Sequence, residues 1–154
     1  MIENLLSITR ISAHSAKIKK EPEIVEEIVG EAIVKIKKSY PGSKIAVSVP
    51  ERPLIVSMDA ILIEQVIINL LENAIRHSGD KENIKLRCYE DNTHAIFEIS
   101  DRGKGLTEAE ISRIWEGRDF TSDTSADSTR GLGIGLSVCK SIIKVHNGFI
   151  KAEN

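Results

Sequence analysis

Cysteine is scarce in this chain. Cys88 and Cys139 are the only two, far apart and each in an apolar setting. They offer neither metal-ligand spacing nor a disulfide framework, so a reducing cytosol is the expected setting. No apolar run approaches the ~20 residues needed to cross a bilayer, and no signal peptide is visible. The chain as it stands is therefore expected to be soluble. Neither charge is in excess: 21 Lys and Arg face 23 Asp and Glu, a net of -2. That argues against a strongly basic nucleic-acid binder. Repeats and low-complexity tracts are also missing. What remains is ordinary globular composition, 41% hydrophobic and 29% charged over 154 residues, enough for one domain with a real core.

The hydrophobic spacing predicts alternating element types. "ENLLSITRIS" has helical spacing but is short, and reads as the last turns of a helix that begins upstream. "AHSAKIKK" reads as a polar linker or edge strand. Pro22 is expected as an early helical residue, with apolar positions in 23–39 recurring at three and four. "YPG" is a turn signal. "KIAVSV" and "PLIVSM" read as two short strands. Asp59 is the expected N-cap of a long helix over 60–77. "IKLRCYE" and "THAIFEISD" alternate as two half-buried strands. In "TEAEISRIW", Thr107 with Glu110 three residues on predicts a capping box. Residues 116–130 are small and polar, with few apolar anchors beyond Phe120, and predict a functional lid that is mobile without ligand. "GLGIGLSVCKSIIKVH" predicts a glycine-rich entry into an apolar helix, and "GFIKAE" a closing strand. The order suggests an α/β sandwich, a mixed sheet with helices packed on it.

Three stretches carry chemistry. Gln65, Asn69, Asn73 and Arg76 follow one another at steps of four, four and three, which makes one stripe on the 60–77 helix. The stripe is either a solvated helix face or a ligand face. In the second case an amide oxygen of Asn73 suits a hard cation such as Mg2+ and Arg76 suits a phosphate. "DRGKG", 101–105, closes a predicted strand. Asp101 shares the parity of Ala95, Phe97 and Ile99, so it is expected to point inward, where a carboxylate needs a donor such as an exocyclic amine. Gly103 and Gly105 permit close approaches. The alternative is an ordinary turn. "GLGIG", 131–135, is either a helix entry chosen for packing or a phosphate cradle of backbone N–H groups at a positive helix end. It is neither a Walker loop nor a dinucleotide fingerprint. Together, in this order, the three stretches supply the parts of an ATP site.

The pattern resembles the catalytic, ATP-binding domain of sensor histidine kinases. That is a branch of the superfamily that also holds type II topoisomerase ATPase domains, Hsp90 and MutL. "NLLENAIRHS" is similar to the N box, "DRGKG" to the G1 box and "GLGIGL" to the G2 box, with "ISRIWEGRDF" in the place of the F box. The C-terminal stretch "GLGIGLSVCKSIIKVHNGFIKAEN" is most similar to potassium-responsive Kdp-type sensor kinases. The resemblance implies a Bergerat-type two-layer α/β sandwich, with helices on one face of a mixed sheet, over residues 21–154. Residues 1–20 are then the end of a dimerisation helix and a linker. It implies that Asn73 coordinates Mg2+ and that Asn69 acts near the phosphates and the attacking group. Arg76, His77, Asp101, Gly103, Gly105, Gly131, Leu132, Gly133 and Gly135 then bind ATP.

It further implies a parent that is a homodimeric, membrane-anchored sensor, with this chain as a monomeric cytoplasmic piece. The phosphoryl acceptor would be a histidine on the dimerisation domain, and a response regulator would follow. Where the topoisomerase and Hsp90 branch has a glutamate that activates water, position 69 is an amide. That suits transfer to a histidine and predicts weak hydrolysis.

Two features depart from the family. Trp115 and Phe120 are five apart, wider than the usual paired aromatics of the F box. None of His14, His77, His94 and His146 has the acidic and proline context of the accepting histidine, so the chain reads as a kinase engine without its acceptor. His146 is expected to end a helix. Two other readings stand beside this one. One is a non-catalytic nucleotide-binding or interaction module. The other is a serine kinase of the anti-sigma-factor type, against which "LLSITRIS" argues.

Overall fold

The computed structural model describes residues 18–79, 83–116 and 133–154. The helix remnant at the start with His14, the lid over 117–130 with Phe120, and Gly131 and Leu132 lie outside the described residues, as does the side chain of Trp115. Two compact units result. One is Lys19–Lys104, and the other holds Ile18 and the described residues from Gly105 to Asn154.

The first unit opens on strand β1 (Glu21–Ile24), not on the helix expected at Pro22. β1 pairs antiparallel with β3 (Ile55–Met58), placing Pro22 opposite Ser57. Proline disfavours helical angles in the residue before it and donates nothing to a ladder, so the edge of a two-stranded ribbon suits it. Helix α1 (Val25–Ser39) starts only afterwards. Its N-cap, Ile24, has no side-chain cap, and Glu26 and Glu27 stand in the first turn, near the positive end of the dipole. The Glu26 carboxylate also accepts the Leu54 N–H at 3.2 and 3.3 Å, beside the Val25 N–H on the Leu54 carbonyl at 2.9 Å. Val25, Ile28, Val29, Ala32 and Ile36 are its buried face, at the three-and-four spacing of the sequence. A turn follows, in which the Ser43 N–H and hydroxyl both donate to the Tyr40 carbonyl, at 3.0 and 2.8 Å.

Helix α2 (Ala60–His77) begins as the sequence predicts, with the Asp59 carboxylate accepting the Leu62 N–H at 3.2 Å. It ends where the Ser78 N–H meets the Ala74 carbonyl and Gly79 turns left-handed at φ 65°. Strands β4 (Ile84–Glu90) and β5 (Ala95–Ser100) form an antiparallel pair, and β2 (Ile45–Ser48) lies parallel to β4, giving the mixed order β2-β4-β5. The parallel pair needs a long crossover, which β3 and α2 provide. At the β4–β5 turn, Asp91 accepts the backbone N–H groups of Thr93 and His94, both at 2.7 Å. Those donors hold its carboxyl below the usual value.

Ile84, Leu86 and Cys88 alternate inward on β4 while Lys85 and Arg87 face out. Arg87 then stacks 4.4 Å above the Tyr89 ring. The result is the α/β sandwich expected: α1 and α2 on a mixed sheet, with Ile36, Ile67, Leu71, Ile84 and Leu86 at its centre. An ion pair crosses the helix layer, from Lys35 Nζ to the buried Glu64 Oε2 at 2.8 Å.

The second unit contains α3 (Glu108–Glu116) and α4 (Gly133–Val145). The predicted capping box is present. The Glu110 N–H donates to Thr107 Oγ1 at 3.2 Å, and the Thr107 N–H donates to Glu110 Oε2 at 2.8 Å. Val138, Cys139 and Ile142 are the buried positions of α4. His146 closes it as expected, its ring nitrogen Nδ1 donating to the Ile142 carbonyl at 2.7 Å, and Asn147 turns left-handed at φ 60°. The closing strand expected over 148–153 is not formed. An alternating pattern makes a strand only where a neighbouring backbone takes its hydrogen bonds. Here it is the Asn154 side chain that engages a backbone, accepting the Leu106 N–H at 2.8 Å and donating to the Leu106 carbonyl at 2.6 Å.

Two consequences are measurable. Gly30 lies exposed in the middle of α1 with nothing within 4 Å of a built Cβ. Gly30→Ala should stabilise the fold by about 0.5–1 kcal/mol, read as a higher urea midpoint with an unchanged m-value. Burial pushes the Cys88 thiol up to about 12. At pH 8 roughly one molecule in ten thousand would carry the thiolate. A disulfide-exchange reagent should therefore leave Cys88 and the equally buried Cys139 unlabelled in the native protein and modify both in denaturant.

Candidate functional site

The polar stripe of α2 is not a solvated face. Asn69 is 3% exposed, while Gln65 and Asn73 are half-buried and only Arg76 and His77 are open to solvent. The stripe is also connected. Gln65 Nε2 donates to Asn69 Oδ1 at 3.0 Å, one turn along the helix. One turn further, Asn73 Nδ2 is buried and has no hydrogen-bond partner. A shielded amide hydrogen with no acceptor costs about 1–3 kcal/mol, so its persistence points to a group that completes it. Arg76 stands at the end, with Nη2 3.9 Å from Glu72 Oε2. A pair this long and this exposed holds the guanidinium weakly.

Asp101 departs from its expectation. It is exposed, not buried, and its Oδ1 accepts the Gly103 N–H at 2.6 Å. The parity argument holds only while the chain stays extended, and β5 stops at Ser100. Nor is the face it shares with Ala95, Phe97 and Ile99 a deep one, since all three are half-buried. The carboxylate instead closes a tight turn over its own backbone. Gly103 shows where that turn sits. A Cβ there would lie 2.8 Å from Asp101 Oδ1, 2.8 Å from the His77 carbonyl oxygen and 3.2 Å from Ser78 Cα. Only glycine lets the turn rest on the C-terminal end of α2. Asp101 and Gly103 are thereby brought against the helix that carries Asn69, Asn73, Arg76 and His77.

In the second unit Gly105 has φ 71°, and a Cβ there would meet Asn154 Oδ1 at 2.8 Å. Gly133 and Gly135 stand in the first turn of α4, where helix geometry aims backbone N–H groups outward at the positive end of the dipole. Gly131 and Leu132 precede it, outside the described residues.

The described residues contain no group of three or more His, Cys, Asp or Glu able to hold a metal ion. A cation here would take most of its oxygen ligands from a ligand's phosphates, the usual arrangement for Mg2+. Asn73 fits that minor share. Half a rotation of its amide exchanges Nδ2 and Oδ1, so the same shielded position offers an N–H to an anion or an oxygen to a cation. Sequence reasoning placed Gln65 in the stripe and gave it no role. Its hydrogen bond to Asn69 is the signal it lacked, and the i, i+4 spacing of two amides was the only trace of it. No helix among the described residues is long and apolar enough to cross a membrane.

Comparison with known proteins agrees with this arrangement. Residues 58–154 match the family model described as histidine kinase-, DNA gyrase B- and HSP90-like ATPase. Over its whole length the chain is 47% identical to Sensor protein KdpD of Clostridium acetobutylicum and 33% identical to Sensor protein KdpD of Escherichia coli. It spans only 17% of the length of each. The catalytic domain of histidine kinase ThkA superposes with a TM-score of 0.72 at 26% identity, covering 89% of this chain and 88% of that one. The shielded amide stripe, the glycine turn seated on its helix and the matched residues agree: the chain belongs to the histidine kinase-, DNA gyrase B- and HSP90-like ATPase family, as a catalytic domain of the histidine kinase type.

Proposed function

We propose that the chain binds ATP with Mg2+ and directs the γ-phosphoryl to a histidine on a dimerisation domain outside this sequence, as part of a Kdp-type sensor kinase. The observation that carries the reading is Asn73 Nδ2, buried without a partner midway along a helix face of amides. The finer assignment to the Kdp type rests on the 47% identity that runs across the whole chain. A parent of that type would be a membrane-anchored homodimer with this domain in the cytoplasm, signalling to a response regulator.

The residues divide the work by their chemistry. Asp101 accepts the adenine amino group, a charge-assisted hydrogen bond for which the Gly103 N–H keeps the carboxylate aimed. Asn73 contributes an oxygen to Mg2+, which when bound neutralises phosphate charge. Arg76 leaves its weak pairing with Glu72 for a phosphate oxygen. His77 lines the nucleotide beside Arg76. Gly105 gives the chain its left-handed turn after the adenine-reading segment, and the backbone of Gly131, Leu132, Gly133 and Gly135 takes phosphate. Asn69 is an amide and removes no proton, so water is not activated and the transfer relies on positioning.

Calorimetric titration of the chain with ATP, with and without Mg2+, tests this. Wild type should bind, Asp101→Asn should weaken binding by about 10- to 100-fold, and Asn73→Ala should remove the Mg2+ dependence. With the parent's histidine domain added in trans, label from ATP should appear on it as an acid-labile phosphoryl group, while hydrolysis without acceptor stays near background. A folded chain that binds no adenine nucleotide at millimolar concentration would overturn the reading. An acid-stable product would replace it with the serine kinase.

A further inference from the structure

Asn69 is an amide in the place where transfer chemistry would occur, and an amide has two unlike ends. One end accepts hydrogen bonds and the other donates them. Left to rotate, it would present either end to a reacting phosphoryl group, with opposite effects. An N–H stabilises developing negative charge, and a carbonyl oxygen opposes it. Something must choose.

We infer that Gln65 makes that choice, as a positioning residue that fixes Asn69 as a hydrogen-bond donor toward the transferred phosphoryl group. The inference rests on the nucleotide reading above and goes beyond it. Gln65 Nε2 donates to Asn69 Oδ1 at 3.0 Å. The Asn69 oxygen is thereby committed to the N-terminal side of the stripe, and its NH2 end is turned from Gln65. The pairing is held in place. Asn69 is 3% exposed, between Val66 and Leu71 of the core, so its side chain has little room to leave the orientation it is given. Gln65 itself is half-buried, on the same face one turn earlier, and belongs to a helix whose start is fixed by the Asp59 cap. The next residue along the stripe, Asn73, has a buried Nδ2 with no partner. The face thus has a direction: an amide whose N–H is used inside the stripe, an amide whose oxygen is used inside it, and an amide hydrogen that awaits an acceptor.

The effect is electrostatic and needs no contact between Gln65 and the nucleotide. It also explains why the position has a side chain with an N–H where a glutamate of equal length would fit. A carboxylate at 65 only accepts, so it would draw the Asn69 NH2 toward itself and leave the oxygen facing the phosphates.

The test compares three substitutions at one site in the chain, assayed with the parent's histidine domain in trans. Gln65→Glu reverses the preference of Asn69, Gln65→Met removes it at similar volume, and Gln65→Lys restores a donor. Gln65→Glu should lower kcat for phosphotransfer about 100-fold and Gln65→Met about 10-fold, the range seen when a group that orients a site residue is lost. In both, the calorimetric affinity for ATP·Mg2+ and the thermal midpoint should stay close to wild type, so that KM for ATP barely moves. Gln65→Lys should recover most of the rate. Wild-type kcat in Gln65→Glu with ATP affinity intact would overturn the inference and leave the nucleotide reading standing. So would equal losses in all three variants accompanied by a lowered thermal midpoint, which would make Gln65 a packing residue. A wild-type chain that binds no ATP defeats the nucleotide reading itself, and the inference with it.

Discussion

Helix α2 has one circumference and must serve two environments with it. Leu62, Ile63, Val66, Ile67, Leu71, Ala74 and Ile75 are buried. Gln65, Asn69 and Asn73 occupy a line between them that is also largely shielded. Amides are the side chains that tolerate this. They hydrogen-bond in both senses and carry no charge, so partial burial costs them far less than it would cost a carboxylate or an ammonium. The helix can therefore be a core element and a recognition element along the same eighteen residues. Much else in the first unit holds that helix in place. Asp59 sets its start, Gly79 its end, the Lys35–Glu64 ion pair ties it to α1, and the Gly103 turn rests on its last carbonyls.

Charge is handled differently from amide chemistry. Arg76 and Asp101 are both exposed and both engaged by modest local partners, Glu72 in one case and the Gly103 N–H in the other. These partners keep each group oriented without neutralising it in a low-dielectric interior. A guanidinium held at 3.9 Å in water gives up little when a phosphate displaces its partner. A buried pair would have to be broken at a cost of several kcal/mol. The arrangement keeps the strongly charged groups at the rim and the neutral donors inside.

Periodicity made most of the fold legible. The α2 boundaries, the Asp59 cap, the capping box at Thr107 and Glu110, and the inward alternation of β4 all follow from residues within a few positions of one another. The misreadings fall where the deciding partner is distant in sequence. Pro22 suits a first helical turn by its own angles, and becomes a strand residue because β3, more than thirty positions on, lies alongside it. The 148–153 segment alternates like a strand, and its neighbour Asn154 spends its hydrogen bonds on Leu106 instead.

The site was legible to the same extent and for the same reason. The stripe and the glycine turn were visible as patterns. The burial of the stripe, the exposure of Asp101 and the Gln65–Asn69 bond were not. The case of Asp101 shows why the difference matters. A parity argument extrapolates a strand beyond its last residue, and one residue of error reverses the face. The inward Asp101 and the outward one suggest the same ligand atom but different physics. A buried carboxylate would be completed by its ligand. An exposed one must already be oriented, and the 2.6 Å bond from the Gly103 N–H does that orienting. Gly103 is then required twice, as the donor that aims the carboxylate and as the residue without a side chain that lets the turn reach the end of α2. Neither role is readable from Asp-x-Gly-x-Gly alone, because both depend on where His77 and Ser78 lie when the helix is complete.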